Sequence, residues 1–299
     1  MNEEIKKRRF RWRSIVFCFF ALVFLLSGGV TASVLISRHK ADKANQELRL
    51  QARQSLSGYG MSMTADPNAA RQQNQEQQAE DDKDPLSEQS STPKRQVSMD
   101  FTKLKEINGE IIGWIFGEGT NVDYPILQTF DNGYYMNHLY TGEYNGAGSI
   151  FADYRNKADF SDRNTVLFGH HMANGTMFGS IEQYSSQDFY DTTPTMMLYT
   201  PEGDYCIELI SGTHESGDEQ FWDFNFQTEE EFLKYVESFR KRSTFKSDVE
   251  VQPGDRLISM CTCAYVFDNA RFMLIGRLVP LYTSSDAAAE LQQGKQANG

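Results

Sequence analysis

The chain has 299 residues, of which 39% are hydrophobic and 23% charged, and it carries a net charge of −12. That acidity gives no electrostatic reason to bind nucleic acid, which demands a basic face, and the length leaves room for one or two domains. Of four cysteines, Cys18 lies in an apolar segment, and Cys206, Cys261 and Cys263 are too few for a disulfide framework in a domain of this size. The spacing Cys261-x-Cys263 is too tight for an ordinary disulfide and is no zinc-ligand pattern by itself.

Residues 1–14 form a basic tail with Lys6, Lys7, Arg8, Arg9, Arg11 and Arg13. Residues 15–37 follow without a charge, and 23 residues at ~1.5 Å each make a helix of roughly 35 Å, enough to cross a hydrocarbon core of about 30 Å. Only Arg38, His39, Lys40 and Lys43 come after it. The excess of Lys and Arg before the segment sets a cytoplasmic N-terminus and an extracellular bulk, as a single-pass cell-membrane protein. The segment is longer than the apolar core of a signal peptide and has only a weak cleavage site at residues 30–33, so an uncleaved anchor is expected.

Residues 38–98 are rich in Gln, Glu, Asp, Ser and Ala and almost free of aromatic residues. Residues 41–53 can continue as a short helix; beyond them the composition is that of a flexible polar spacer, unable to bury enough apolar surface to offset its chain entropy. A folded domain is expected over 99–283, and a polar, disordered tail over 284–299. Phe101, Leu104 and Ile107 fall at helical spacing and open the domain. Short runs rich in β-branched and aromatic residues follow at 111–116, 148–154, 165–168, 196–200, 205–213, 256–262 and 272–278. Gly, Pro, Asn and Asp punctuate them, with a clear hairpin turn at 201–204. The pattern predicts a mainly β domain, either a sandwich or a closed barrel. One helix interrupts it: Thr228 and Glu231 form a candidate capping box, Phe232, Tyr235, Val236 and Phe239 share one face, and Arg240, Lys241 and Arg242 suit the C-terminal end.

Three signals carry chemistry. Cys263 ends the apolar run at 257–262, so it stands at a strand end with a polar loop just beyond. A cysteine in a strand is ordinarily buried packing. His170 and His171 follow the strand VLF at Gly169, and an imidazole, with its ordinary pKa near neutrality, can exchange protons during acyl transfer and activate a thiol. Structural hydrogen bonding by one of the two histidines is the plainer reading of that pair. Arg271 begins the strand that would pair with the Cys263 strand, where its forked donors can hold an oxyanion or a substrate carbonyl. Each signal alone is weak; strand–Gly–His, strand–Thr–Cys and hairpin–Arg in this order are far more specific.

These segments, NTVLFGHHMANGTMF from Asn164 and SMCTC ending at Cys263 with DNAR ending at Arg271, resemble those of sortases, and of class B most of all. The resemblance runs from about Asp100 to Tyr282 and includes the helix between the His and Cys regions. It implies a closed β-barrel of about eight strands, with an N-terminal helix and a long helix before the nucleophile strand. It also implies a cysteine transpeptidase with Cys263 as nucleophile, His170 as general acid/base and Arg271 stabilising the transition state or positioning the substrate. His170 is carried over because the family's catalytic histidine directly follows the glycine; His171 is its rival. The implied partners are secreted proteins with a C-terminal NPxT-like sorting motif and a peptidoglycan precursor or stem-peptide amine.

The family's Thr-Leu-x-Thr-Cys signature appears here as Ser259, Met260, Cys261, Thr262 and Cys263. Alternation puts Cys261 on the face of Cys263, where packing is its expected role. No cofactor is implied, and the scattered acidic residues form no calcium-loop spacing. The residues alone leave open a cell-wall cysteine peptidase, a pilus-polymerising sortase and a non-catalytic wall-binding module.

Overall fold

The computed structural model describes residues 2–57 and 99–281; the sequence-expected spacer beyond residue 57 and the tail at 284–299 lie outside the described residues. Eight strands close into one barrel in the order β1-β2-β3-β4-β7-β8-β6-β5. In chain order they are β1 (Ile111–Phe116), β2 (Asp123–Leu127), β3 (Ile150–Ala152), β4 (Asn164–Phe168), β5 (Thr195–Tyr199), β6 (Asp204–Ser216), β7 (Arg256–Cys263) and β8 (Ala270–Pro280). The barrel, rather than the sandwich, follows from β5 pairing back onto β1. Two parallel contacts, β2 with β3 and β4 with β7, sit among antiparallel ones.

Alternation along the strands sorts side chains to two sides of the wall. Ile115, Ile126, Leu167, Ile258, Met260 and Leu274 meet in the inner core. On the outside, helix α4 (Glu229–Arg240) covers Leu257, Cys261, Met273 and Ile275 with Phe232, Val236 and Phe239. Its start obeys the expected capping chemistry with one change. Thr228 Oγ1 accepts the Glu231 N–H at 3.1 Å, but the Glu231 carboxylate takes the N–H of Gln227, one residue before the cap. The short helices α2 (Phe101–Ile107) and α3 (Gln187–Thr192) and a 3-10 helix (Ile181–Ser185) complete the domain.

Helix α1 (Asn2–Ser57) includes the stretch 41–53 that the sequence allows as a short helix, and makes it continuous with the apolar segment. It runs unbroken about twenty residues past the apolar segment, and its last part is docked on the barrel. Leu48 and Ala52 are buried with Leu104, Trp114 and Tyr135, while Ala41 packs on Leu139 and Ala147. Asn145 Nδ2 donates to the Ser37 carbonyl at 2.8 Å, Tyr140 Oη to Ala44 O at 3.1 Å, and Arg49 Nε to Asp123 O at 2.8 Å. The reason is legible afterwards: Ala41, Leu48 and Ala52 make an apolar stripe within polar surroundings, too sparse to stand out by composition.

Candidate active site

Strands β4, β7 and β8 are neighbours, and their register brings the three expected site residues to one end of the barrel. Phe168 is opposite Cys261 in the parallel β4–β7 ladder, two residues before His170 and Cys263 respectively. Cys263 is in turn directly opposite Arg271 in the antiparallel β7–β8 ladder. Just past β4, Gly169 N–H donates to Cys261 O at 3.2 Å and Thr262 Oγ1 donates to Gly169 O at 2.8 Å, so the chain stays tied to β7 up to His170.

Position along the strand, not parity, separates the two nearby thiols, which share one face. Cys261 is buried under helix α4, and burial pushes its thiol up to about 12, out of reach of ordinary ionisation. Cys263, at the strand end beyond the cover of that helix, is half-buried. Packing is therefore what Cys261 does.

The two histidines have different partners. His170 Nε2 is 2.7 Å from the carbonyl of Met136, in the β2–β3 connection. A carbonyl only accepts, so Nε2 carries the proton and Nδ1 is the nitrogen free for proton exchange. His171 Nδ1 lies 2.8 Å from the carbonyl of Cys263 and 3.2 Å from Glu182 Oε2. Both are acceptors, which makes Nδ1 the donor and leaves that side of the ring committed. Among the described residues His170 and the Cys263 thiol are not hydrogen-bonded to each other; without substrate such bonds are often long and close only in the complex.

Arg271 folds back on its own turn, with Nη1 donating to Asn269 O at 3.2 Å and Ala270 O at 3.0 Å. Asn269 adopts a left-handed φ of 55°, which Asn tolerates, and its amide bonds Asp218 at 2.8 Å. Opposite Arg271 on β6 stands Glu215, whose carboxylate pairs with Arg242 at 2.8 Å. Exposed Tyr265, Val266 and Phe267 form the loop between Cys263 and Arg271. Neither Glu182 nor His214, which lies 3.4 Å from it, was singled out by the sequence; their partners are too far apart along the chain to leave a local signal.

No protein-family model matches the chain. Sortase B of Listeria monocytogenes, however, is 33% identical over 186 residues, which cover 62% of this chain and 76% of that protein. This chain belongs to the sortase B family. It is a cysteine transpeptidase of that family. The solved Staphylococcus aureus sortase B–substrate complex matches with a TM-score of 0.58 and 29% identity, over 61% of this chain and 85% of that one. A sortase B complexed with triglycine matches equally, with a TM-score of 0.58 and 30% identity over 61% of this chain and 86% of that one. The closed eight-stranded mixed barrel with its N-terminal helix is the sortase B fold.

Proposed function

We propose that Cys263, His170 and Arg271 transfer a protein from its C-terminal sorting motif to a cell-wall amine. The Cys263 thiol passes its proton to His170 Nδ1, the resulting thiolate attacks the carbonyl carbon of the motif's threonine, and Arg271 neutralises charge on the carbonyl oxygen. The amide C–N bond breaks as His170 Nδ1 gives its proton to the departing amine, leaving a thioacyl bond on Cys263. An incoming amine then attacks that thioester, passes a proton back to His170 and forms a new amide while the thiolate leaves. The observation that carries this reading is the cross-strand row in which the β4 end, Cys263 and Arg271 are successive neighbours.

An NPxT-like motif is the expected acyl donor, since the substrate and triglycine complexes of relatives fit a peptide donor and an amine acceptor. The acceptor is a peptidoglycan precursor or stem-peptide amine. Helix α1 is the membrane anchor, with its basic end cytoplasmic and the barrel extracellular. It is the one helix among the described residues long and apolar enough to cross a membrane, and Phe19, Phe20, Phe24, Leu25, Val30 and Leu35 on it are exposed, which suits them to lipid.

The test is mass spectrometry of the full chain in detergent with an Asn-Pro-Gln-Thr-containing peptide, with and without triglycine. A thioacyl adduct on Cys263 that moves to triglycine, and that is absent in Cys263→Ala, is expected. An adduct resolved only by water makes the enzyme a peptidase, and an adduct in Cys263→Ala removes Cys263 from the reaction.

A further inference from the structure

Beside the row of reacting groups lies a second cluster that the proposed reaction does not use. His171, Glu182 and His214 come from three places: the segment after β4, the 3-10 helix and β6. Glu182 Oε2 is 3.2 Å from His171 Nδ1, and its other oxygen, Oε1, is 3.4 Å from His214 Nε2. The three side chains are only 16%, 23% and 20% exposed. Each is held from behind. Ile181 and Tyr184, buried on either side of Glu182, fix the 3-10 helix in the core. His214 packs edge-on against Phe272 with ring centres 5.0 Å apart, and His171 against Tyr265 at 5.2 Å. Among the described residues no such group has a metal-holding arrangement.

The output of this cluster is the bond from His171 Nδ1 to the carbonyl of Cys263. Cys263 is the last residue of β7, and the chain leaves the sheet there for an exposed loop. Gly169 and His171 flank His170 on both sides. Gly169 is tied to β7 through Cys261 O and the Thr262 hydroxyl, and His171 is tied to it through Cys263 O. The first two bonds continue the ladder by main chain and a short hydroxyl. The third depends on the ring carrying its proton on Nδ1, which the negative charge of the Glu182 carboxylate, 3.2 Å from that nitrogen, favours.

We propose that Glu182 and His171 are a positioning pair for the nucleophile: Glu182 holds His171 as the Nδ1–H donor, and that donor fixes the main chain of Cys263 relative to His170. This rests on the reading of Cys263 as the nucleophile. His214 steadies the second carboxylate oxygen. Misplacement by about 1 Å costs on the order of 100-fold in rate, so loosening the pair acts on turnover rather than on peptide binding.

The experiment uses the full chain in detergent, the Asn-Pro-Gln-Thr-containing peptide and triglycine, and reads kcat, KM, Tm and the 15N spectrum of His171. His171→Ala and Glu182→Ala are expected to lower kcat about 10- to 100-fold with KM held within about 2-fold. His171→Asn keeps a donor at the Nδ1 position and Glu182→Gln keeps an acceptor, and both are expected to recover to within about 3-fold of the parent. The parent spectrum should have His171 protonated at Nδ1, and Glu182→Ala should lose that preference. Full activity in both alanine variants overturns the proposal. So does His171→Asn as inactive as His170→Ala, which makes His171 itself the proton carrier, and so does a kcat loss that follows Tm with no recovery in the conservative variants. Absence of a Cys263 adduct in the parent fails the underlying reading instead, and the positioning pair with it.

Discussion

A Cβ at position 169 would stand 2.4 Å from Ile150 Cδ1 and 2.7 Å from the ring of Phe178. The isoleucine tip can swing away, but the Phe178 ring is buried in the inner core and has nowhere to go. Gly169 thus lets the chain pass between β3 and Phe178 and brings His170 beside the β7 end. Gly169→Ala should cost about 1–3 kcal/mol through overpacking and lower kcat more than tenfold, because the displaced residue is the one before His170. Thermal unfolding and peptide turnover measure the two effects separately. Thiol chemistry gives a second residue-level expectation. Burial pushes Cys206 up to about 11 and Cys261 to about 12, so both remain thiols at pH 8. Brief iodoacetamide treatment of the folded chain, read by peptide mapping, should therefore modify half-exposed Cys263 and spare those two; modification of Cys261 at an equal rate contradicts its burial. At this scale the sequence was informative where the chemistry is local: Gly169–His170, Thr262–Cys263 and Arg271 each sit in a short motif. It was silent on Glu182 and His214, because a carboxylate that orients an imidazole across the fold has no fixed spacing from it.

Strands were legible wherever β-branched and aromatic residues run unbroken, and the expected runs at 111–116, 165–168, 196–200 and 256–262 correspond to β1, β4, β5 and β7. Strand β2 was missed, because Pro125 demotes the run that contains it. The structure accommodates the proline between two ladders: Pro125 is opposite Trp114 of β1, and β3 pairs only from Ile126 onward. The missing N–H therefore falls outside the β3 ladder. Asp153 directly follows strand β3; its carboxylate is fully buried and receives Arg155 N–H, Nε and Nη2, the last at 2.7 Å. Burial alone would raise this carboxyl, but the Arg155 hydrogen bonds and charge outweigh it and the net direction is down. Arg155 also lies 4.9 Å over the Phe224 ring and bonds Gln220, so the pair fastens the segment leading into helix α4. A carboxyl held below its ordinary value of ~3.9 contributes stability that is complete above that value and is lost as pH falls through the lower folded value. The stability difference between the parent and Asp153→Asn should then be full at pH 7 and shrink below about pH 4. Urea unfolding at both pH values checks it, and an equal difference at pH 3 would mean that packing, not the ion pair, is what the variant lost.

For the whole molecule the consequential feature is that the helix carrying the candidate membrane span continues without a break into a stretch packed on the barrel. Composition allowed a short helix at 41–53 with a flexible spacer beyond it, and the sparse apolar stripe at Ala41, Leu48 and Ala52 gave little sign that this helix docks on the barrel. In the structure the docked half of helix α1 completes the outer cluster over β1 and β2, where Leu48 is fully buried. Removing a buried leucine side chain typically costs about 2–5 kcal/mol, and at about 2–4 °C per kcal/mol for a domain of this size Leu48→Ala should lower Tm by roughly 4–20 °C. Leu35, by contrast, is 59% exposed in the apolar half, and Leu35→Ala should leave the barrel's Tm in detergent unchanged. Two truncations extend the contrast. A chain beginning at residue 38 keeps Ala41, Leu48, Arg49 and Ala52 on the barrel and should melt close to the full-length protein. A chain beginning at residue 99 uncovers Trp114 and Tyr135, loses the Arg49 bond to Asp123, and should melt lower, with exposed apolar surface that binds a hydrophobic dye. Equal melting of the two truncations would mean that the helix rests on the barrel without supporting it. A lower Tm for the shorter chain means that the end of the helix carrying the candidate membrane span is also part of the barrel's core, so under the proposed anchoring the reach of the barrel is set by helix geometry rather than by a tether.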